Sequence, residues 1–221
     1  MDIQIKQGPQ CHTSNCYTYR NGDIKYIVIH FTSNNGDTAL NNCNYFSGAN
    51  RGASAHYFIG DDGIYQSVPD KWAAWAVGGT KIYKHPYCRN MNSISIEMCS
   101  RIGADGKYYI RDGIVEQTIK LTRYLMNKYG VPAQNVLRHY DVWDKQCPEP
   151  FVRKPELWQD FKNKLSESEG LTMEQYAQFT GMTADKMMEQ MLPSAEKNIK
   201  TRLVLEAIAK AENIEISDEK I

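Results

Sequence analysis

No apolar run in these 221 residues approaches the roughly 20 that a membrane-crossing helix needs, so the sequence offers no span. The opening residues, Met1-Asp2-Ile3-Gln4-Ile5-Lys6, lack the basic-then-apolar layout of a secretory leader. The expectation is a chain made in the cytoplasm without a signal peptide, which needs another exit if it acts outside. Dense Lys/Arg clusters and nucleic-acid motifs are missing, which argues against a nucleic-acid partner. Six cysteines are too scattered, in too long a chain, for the disulfide framework of a small secreted protein, although Cys11 and Cys16 could pair. Internal repeats and low-complexity tracts are absent as well.

Net charge is also missing, but its zero hides a split. Through Ser166 the chain carries 20 Lys and Arg against 15 Asp and Glu, and from Glu167 onward 6 against 11. A basic first part is drawn to anionic surfaces, and the sign change marks two parts with different partners. Fourteen Tyr and four Trp are plentiful; rings with a polar edge suit sugar or peptide binding, though most of them pack the core.

The pattern before the sign change is that of an α/β domain. Ile24 to Ile29 reads as a buried strand, and Asp37 to Phe46 as a helix with Asp37 or Thr38 as its cap. Ser54 to Gly60 and Ile64 to Val68 form a hairpin about the turn Asp61-Asp62-Gly63. Ser93 to Cys99 alternates as a strand, and Asn135 to Leu137 is a brief one. Gly113 to Tyr129 is a helix with Val115, Ile119, Thr122 and Met126 at helical spacing, stopped by Gly130 and Pro132. Pro155 to Leu165 closes the domain. Residues 166–170 read as a linker, and residues 171–221 as a small all-helical module with caps at Thr172, Thr183 and Ser194. The expected division is therefore 1–165, 166–170 and 171–221.

Chemistry concentrates in Arg138-His139-Tyr140-Asp141-Val142-Trp143-Asp144-Lys145-Gln146-Cys147-Pro148, which reads as a loop. A neutral imidazole and a thiolate are good zinc ligands, and His30 at the end of Ile27-Val28-Ile29 supplies a third. Three protein ligands leave a fourth position open, the pattern of a catalytic Zn2+ site. Hydrolysis further needs a base and a cation for the developing oxyanion. Glu97 is the base candidate, a carboxylate inside an otherwise apolar strand, where charge is costly without a function. Lys145, two residues from Cys147, is the oxyanion candidate. Each has a bland reading: His30 as a hydrogen-bonded core histidine, Cys147 as a small buried apolar group, Glu97 as a solvated edge residue, Lys145 as a surface lysine.

Four blocks occur in order: Tyr26-Ile27-Val28-Ile29-His30-Phe31-Thr32, Ser54-Ala55-His56-Tyr57-Phe58-Ile59, Ser93-Ile94-Ser95-Ile96-Glu97-Met98, and Arg138-His139-Tyr140-Asp141 through Lys145-Gln146-Cys147-Pro148. Residues 24 to about 152 thereby resemble the zinc-dependent type 2 N-acetylmuramoyl-L-alanine amidases, a family of phage endolysins, autolysins and, distantly, peptidoglycan recognition proteins. The resemblance implies a mixed central sheet flanked by helices and zinc on His30, His139 and Cys147. It implies Glu97 and Lys145 as the catalytic pair, and peptidoglycan as the substrate, cut between N-acetylmuramic acid and L-alanine. His56 and Trp75 would line the cleft, with a histidine packed in a strand as the other reading of His56. One departure is Trp75-Ala76, where relatives often carry Trp-His, so the grip on substrate would differ. A rival expectation is a module that holds muropeptides without cutting them.

From about residue 194 the chain resembles the C-terminal helical region of the chaperone trigger factor. That likeness suggests apolar peptide binding, wall targeting or self-association through the C-terminal helices.

Overall fold

The computed structural model describes residues 3–78 and 82–166. The expected linker beyond Ser166 and the helical module over 171–221 lie outside the described residues.

Ten strands, five α-helices and three short 3-10 turns make up the described chain. The strands are β1 (Ile5–Gln7), β2 (Cys16–Tyr17), β3 (Tyr26–Phe31), β4 (Tyr57–Gly60), β5 (Gly63–Gln66), β6 (Ala73–Ala74), β7 (Ser93–Met98), β8 (Arg101–Ile102), β9 (Tyr108–Tyr109) and β10 (Val136–Arg138). The helices are α1 (Ala39–Ser47), α2 (Asp112–Tyr129), α3 (His139–Trp143), α4 (Glu149–Arg153) and α5 (Pro155–Ser166). Six strands form one sheet in the order β1-β5-β4-β7-β3-β10. Its neighbours run parallel except for the antiparallel hairpin β4–β5, so the sheet is mixed.

The two faces of the central strands bury different things. Ile27, Ile29, Ile94 and Ile96 join Leu121 and Leu125 of α2 and Phe161 and Leu165 of α5 in the main core. Because side chains alternate along a strand, Tyr26 and Val28 point the other way, into a second cluster with Val77, Cys88 and Val142. His30 follows Val28 on that second face. Its register partner on β7 is Glu97, so the two side chains stand side by side.

β7 lies between β4 and β3, so the reading of Glu97 as a solvated edge residue is overturned. The sheet pairing also moves β3 two residues toward the C-terminus of the expected strand, with His30 inside the ladder. In α2 the buried positions are Ile114, Thr118, Ile119, Leu121, Thr122 and Leu125. Val115 and Met126 fall only partly buried beside that stripe. The helix stops at Gly130, whose φ of 65° is the left-handed conformation that glycine adopts freely.

α1 is tied to the hairpin turn. Asp62 accepts hydrogen bonds from the Ala39 and Leu40 amides at 2.9 and 3.0 Å, and Thr38 caps the Asn41 amide at 3.1 Å. Gly60 permits this approach: a Cβ there would stand 2.5 Å from Asp62 Oδ1 and 2.8 Å from the Ala39 nitrogen. Among the described residues no helix is long and apolar enough to cross a membrane.

Candidate metal centre and its carboxylate

His30 reaches the site from β3, while His139 and Cys147 bracket the turn that follows β10. The segment read as a loop contains the short helix α3, which begins at His139 itself. Asp141 fixes that start, accepting from the Arg138 amide at 2.9 Å and from Arg138 Nε and Nη2 at 3.1 and 2.8 Å. Arg138 also donates to the Phe151 carbonyl at 3.0 Å, anchoring the helix to α4. At the far side, the Tyr140 amide donates to the Cys147 carbonyl at 2.9 Å, folding the Lys145–Cys147 arm back toward His139. This brace was invisible as chemistry in the sequence, although Arg138 and Asp141 sit in the diagnostic block.

The outcome is convergence. One ligand atom from each of His30, His139 and Cys147 lies within 4.8 Å of the others, and all three residues are buried. Cys147 Sγ is 3.8 Å from His30 Nδ1, and the two imidazole centroids are 4.7 Å apart. Burial, aided by the Lys145 charge, holds the His139 pKa down to about 4 and that of His30 well below its usual value, so both rings are neutral and offer lone pairs. Burial likewise raises the Cys147 thiol far above its ordinary range, with the Glu97 charge adding to it.

Hydrogen bonding tests whether this set suits a metal. Both ring nitrogens of His139, and Nε2 of His30, are buried without a partner. Buried polar atoms are nearly always satisfied, so unpartnered nitrogens on two adjacent rings beside a thiol fit a cation, which would take one nitrogen of each ring, better than they fit packing. The donor set, two nitrogens and one sulfur, is the kind a catalytic zinc site uses.

Glu97 stands beside the cluster, its Oε1 3.9 Å from His30 Nδ1, with 21% of its side chain exposed. Burial pushes its pKa up to about 8, Lys145 opposes this, and Asp37 reinforces it. Glu97 Oε2 is buried without a partner. Lys145 itself is exposed on the arm before Cys147, near enough for its charge to be felt by Glu97, His30 and His139.

The two expected cleft residues fare differently. His56 is fully buried. Its Nδ1 accepts from the Ser95 amide at 3.0 Å, which leaves Nε2 protonated and facing the Trp72 carbonyl at 3.2 Å. Arg20 Nη2 also stands 2.9 Å from that Nε2, and the guanidinium donates to the carbonyls of Asp70, Met91, Trp72 and Ser93. His56 is thus a hub that staples a coil to the sheet and offers no wall to a cleft. Trp75 is half-buried with Tyr17 edge-on at 5.3 Å. Cys11 and Cys16 are free and buried.

An α/β sheet that brings His, His and Cys together beside a carboxylate defines a protein built around a candidate catalytic metal site. Comparison with known proteins narrows this class. The N-acetylmuramoyl-L-alanine amidase family matches residues 20–150, and the chain belongs to that family. A Bacillus licheniformis protein named "Probable N-acetylmuramoyl-L-alanine amidase" is 32% identical over 193 residues, 82% of this chain and 53% of the relative. The amidase CwlL of the same species is 33% identical over 150 residues, 64% of this chain and 41% of the relative. The chain thus spans about half the length of the curated relatives it matches. Among solved structures, PlyL superposes with a TM-score of 0.61 at 27% identity, covering 76% of this chain and 99% of PlyL. The catalytic domain of XlyA gives 0.61 at 25% identity, over 74% of this chain and all of XlyA's.

The trigger factor C-terminus matches residues 154–221, beginning well before the expected 194. Trigger factor of Agathobacter rectalis is 51% identical over 63 residues, 28% of this chain and 14% of the relative.

Proposed function

We propose that this chain is a zinc-dependent hydrolase of the amide between N-acetylmuramic acid and L-alanine in peptidoglycan, acting as an endolysin of phage or prophage origin. The observation that carries the reading is the set of orphaned imidazole nitrogens on His30 and His139 beside the Cys147 thiol. Those three side chains would hold the ion, which when bound supplies Lewis acidity beside Glu97.

Glu97 is the proposed proton carrier. Fixed on a central strand and raised toward neutral pH, it is suited to accept a proton from water and return it to the leaving amine. Lys145 would offset negative charge growing on the scissile carbonyl oxygen. We further propose a catalytic domain over 1–165, a linker over 166–170 and a helical module over 171–221 that serves targeting or self-association. The chain would act on the wall after release from the cell.

Replacing Glu97 by Ala should lower release of muramyl-linked peptide by about 10²–10⁴-fold while bound zinc, measured by mass spectrometry, stays at one per chain. Substantial lysis by Glu97→Ala would remove Glu97 from the mechanism. A second reading, a muropeptide-binding module that does not cut, draws on Ala76, whose methyl cannot hydrogen-bond substrate. Walls left intact by the zinc-loaded wild type after long incubation would favour it.

A further inference from the structure

His139 is the ligand candidate whose ring has the least to hold it in place. It is 3% exposed, yet neither of its nitrogens meets a protein partner among the described residues. A histidine that binds metal through one nitrogen ordinarily sets its ring angle through the other, by a hydrogen bond to a carboxylate or carbonyl. Here the ring has aromatic neighbours in place of that bond. The His30 imidazole stands edge-on with its centroid 4.7 Å away. The Trp143 indole lies within 26° of parallel, with 6.2 Å between centroids.

The backbone makes Trp143 a rigid neighbour. His139 and Trp143 are the first and last residues of α3, so their side chains share one face of the helix. The Val142 carbonyl accepts from the Lys84 and His85 amides at 2.9 and 3.2 Å, and the Val142 side chain is buried in the second cluster. Asp144 then takes the left-handed conformation at φ 57°, its amide donating to the Tyr140 carbonyl at 3.0 Å. The chain is thus pinned on both sides of Trp143 before the arm to Cys147 departs.

We infer that Trp143 is a positioning residue for the metal centre: its indole face holds the plane of the His139 imidazole, where a hydrogen bond would ordinarily do so. The inference rests on the proposed zinc reading. A ring face and a hydrogen bond differ in one respect. A hydrogen bond fixes which nitrogen carries the proton, as the Ser95 amide does for His56. A flat neighbour restrains the tilt of the ring and leaves the tautomer open. The metal-free protein should therefore hold both neutral tautomers of His139, and zinc should select one.

The test uses the full chain with zinc as the probe, its affinity read by competition with a chromogenic chelator. Trp143→Phe keeps a ring face and should bind zinc within about threefold of wild type, whereas Trp143→Leu keeps bulk alone and should bind about 10–100-fold more weakly. Thermal unfolding without metal checks that both variants fold. Equal affinity in the two variants, with wild type binding one ion, would overturn the inference and leave the zinc reading intact. A wild type that binds no zinc would sink both. A second measurement needs no variant. Near neutral pH, the ring-nitrogen NMR shifts of the metal-free wild type should be averaged between two tautomers for His139 and should report a single tautomer for His56. His139 locked in one tautomer would mean that a hydrogen bond sets its ring, and would overturn the inference whatever the variants do.

Discussion

Two groups of buried imidazoles lie on this sheet, and they look alike until their partners are counted. His56 and the pair His30–His139 are all nearly or fully buried, and desolvation keeps all three neutral. Around His56 every nitrogen is spoken for, by the Ser95 amide and the Trp72 carbonyl, with Arg20 binding the surrounding carbonyls. Around His30 and His139, three nitrogens face no partner, and the fourth, His30 Nδ1, has the Cys147 thiol 3.8 Å away. Burial alone therefore does not separate a structural histidine from a candidate ligand; unspent hydrogen-bonding capacity does.

Breaking one member of each group gives the largest contrast. His139→Ala should abolish zinc binding and lower amide hydrolysis by about 10³-fold or more. The metal-free protein should lose less stability than His56→Ala does, because the cavity left by the ring is offset by removal of two unsatisfied buried atoms. His56→Ala should do the reverse. It strands the Ser95 amide and opens a cavity, so we expect a loss of about 2–4 kcal/mol in stability with zinc content per folded chain unchanged. Elemental analysis beside thermal unfolding reads both. If His56→Ala lost zinc yet kept its melting temperature, the distinction drawn between the two groups would fail.

Lys145 sharpens the chemical side. Its side chain is exposed and belongs to neither a ligand set nor a packed network. Lys145→Ala should lower kcat by roughly 10²-fold, as for a removed oxyanion partner, and leave zinc stoichiometry and melting unchanged. A wild-type kcat in that variant would return Lys145 to the status of a surface lysine.

How far these roles could be read from sequence differs by residue, and the reason is physical. His30, Glu97, His139 and Cys147 were legible as candidates because each breaks a local rule: a polar group in an apolar strand, or a thiol and imidazole close together. Asp37 obeyed the local rule for a helix start, and the bonds it accepts from Asn34 and Asn42 showed only in the folded chain. His56 breaks the same rule as His30, yet its partners come from Arg20 and the coil at Trp72, contacts no strand pattern encodes. The α/β pattern and α2 followed from apolar periodicity, while the mixed character of the sheet came only as what the family resemblance implies. Strands of two or three residues, such as β2, β6, β8 and β9, are too short to show a period at all. The α3 start at His139 was missed because its cap is a side-chain fork from Asp141 to Arg138.

Acid should expose the same division by a smaller effect. The His56 pKa is held down to about 3, chiefly by burial and then by the Arg20 charge, whereas in the unfolded chain it returns to about 6.5. Below pH 6.5 the unfolded chain binds a proton that the native protein refuses. The contribution is therefore complete above 6.5 and is lost as pH falls toward 3. His139 behaves alike in the metal-free protein, over the narrower window from 6.5 to about 4. Each such group adds a slope of about 1.4 kcal/mol per pH unit to the unfolding free energy. Urea titrations of the metal-free protein between pH 4.5 and 6 should therefore lose one proton's worth of slope in His56→Gln, and one in His139→Ala. With zinc bound, Cys147 would be held as the thiolate, so the native state gives up one more proton, which acid must restore as it displaces the ion. The slope should then steepen in wild type and in His56→Gln but not in His139→Ala. Zinc steepening the His139→Ala titration as much as the wild type would mean that the metal sits elsewhere.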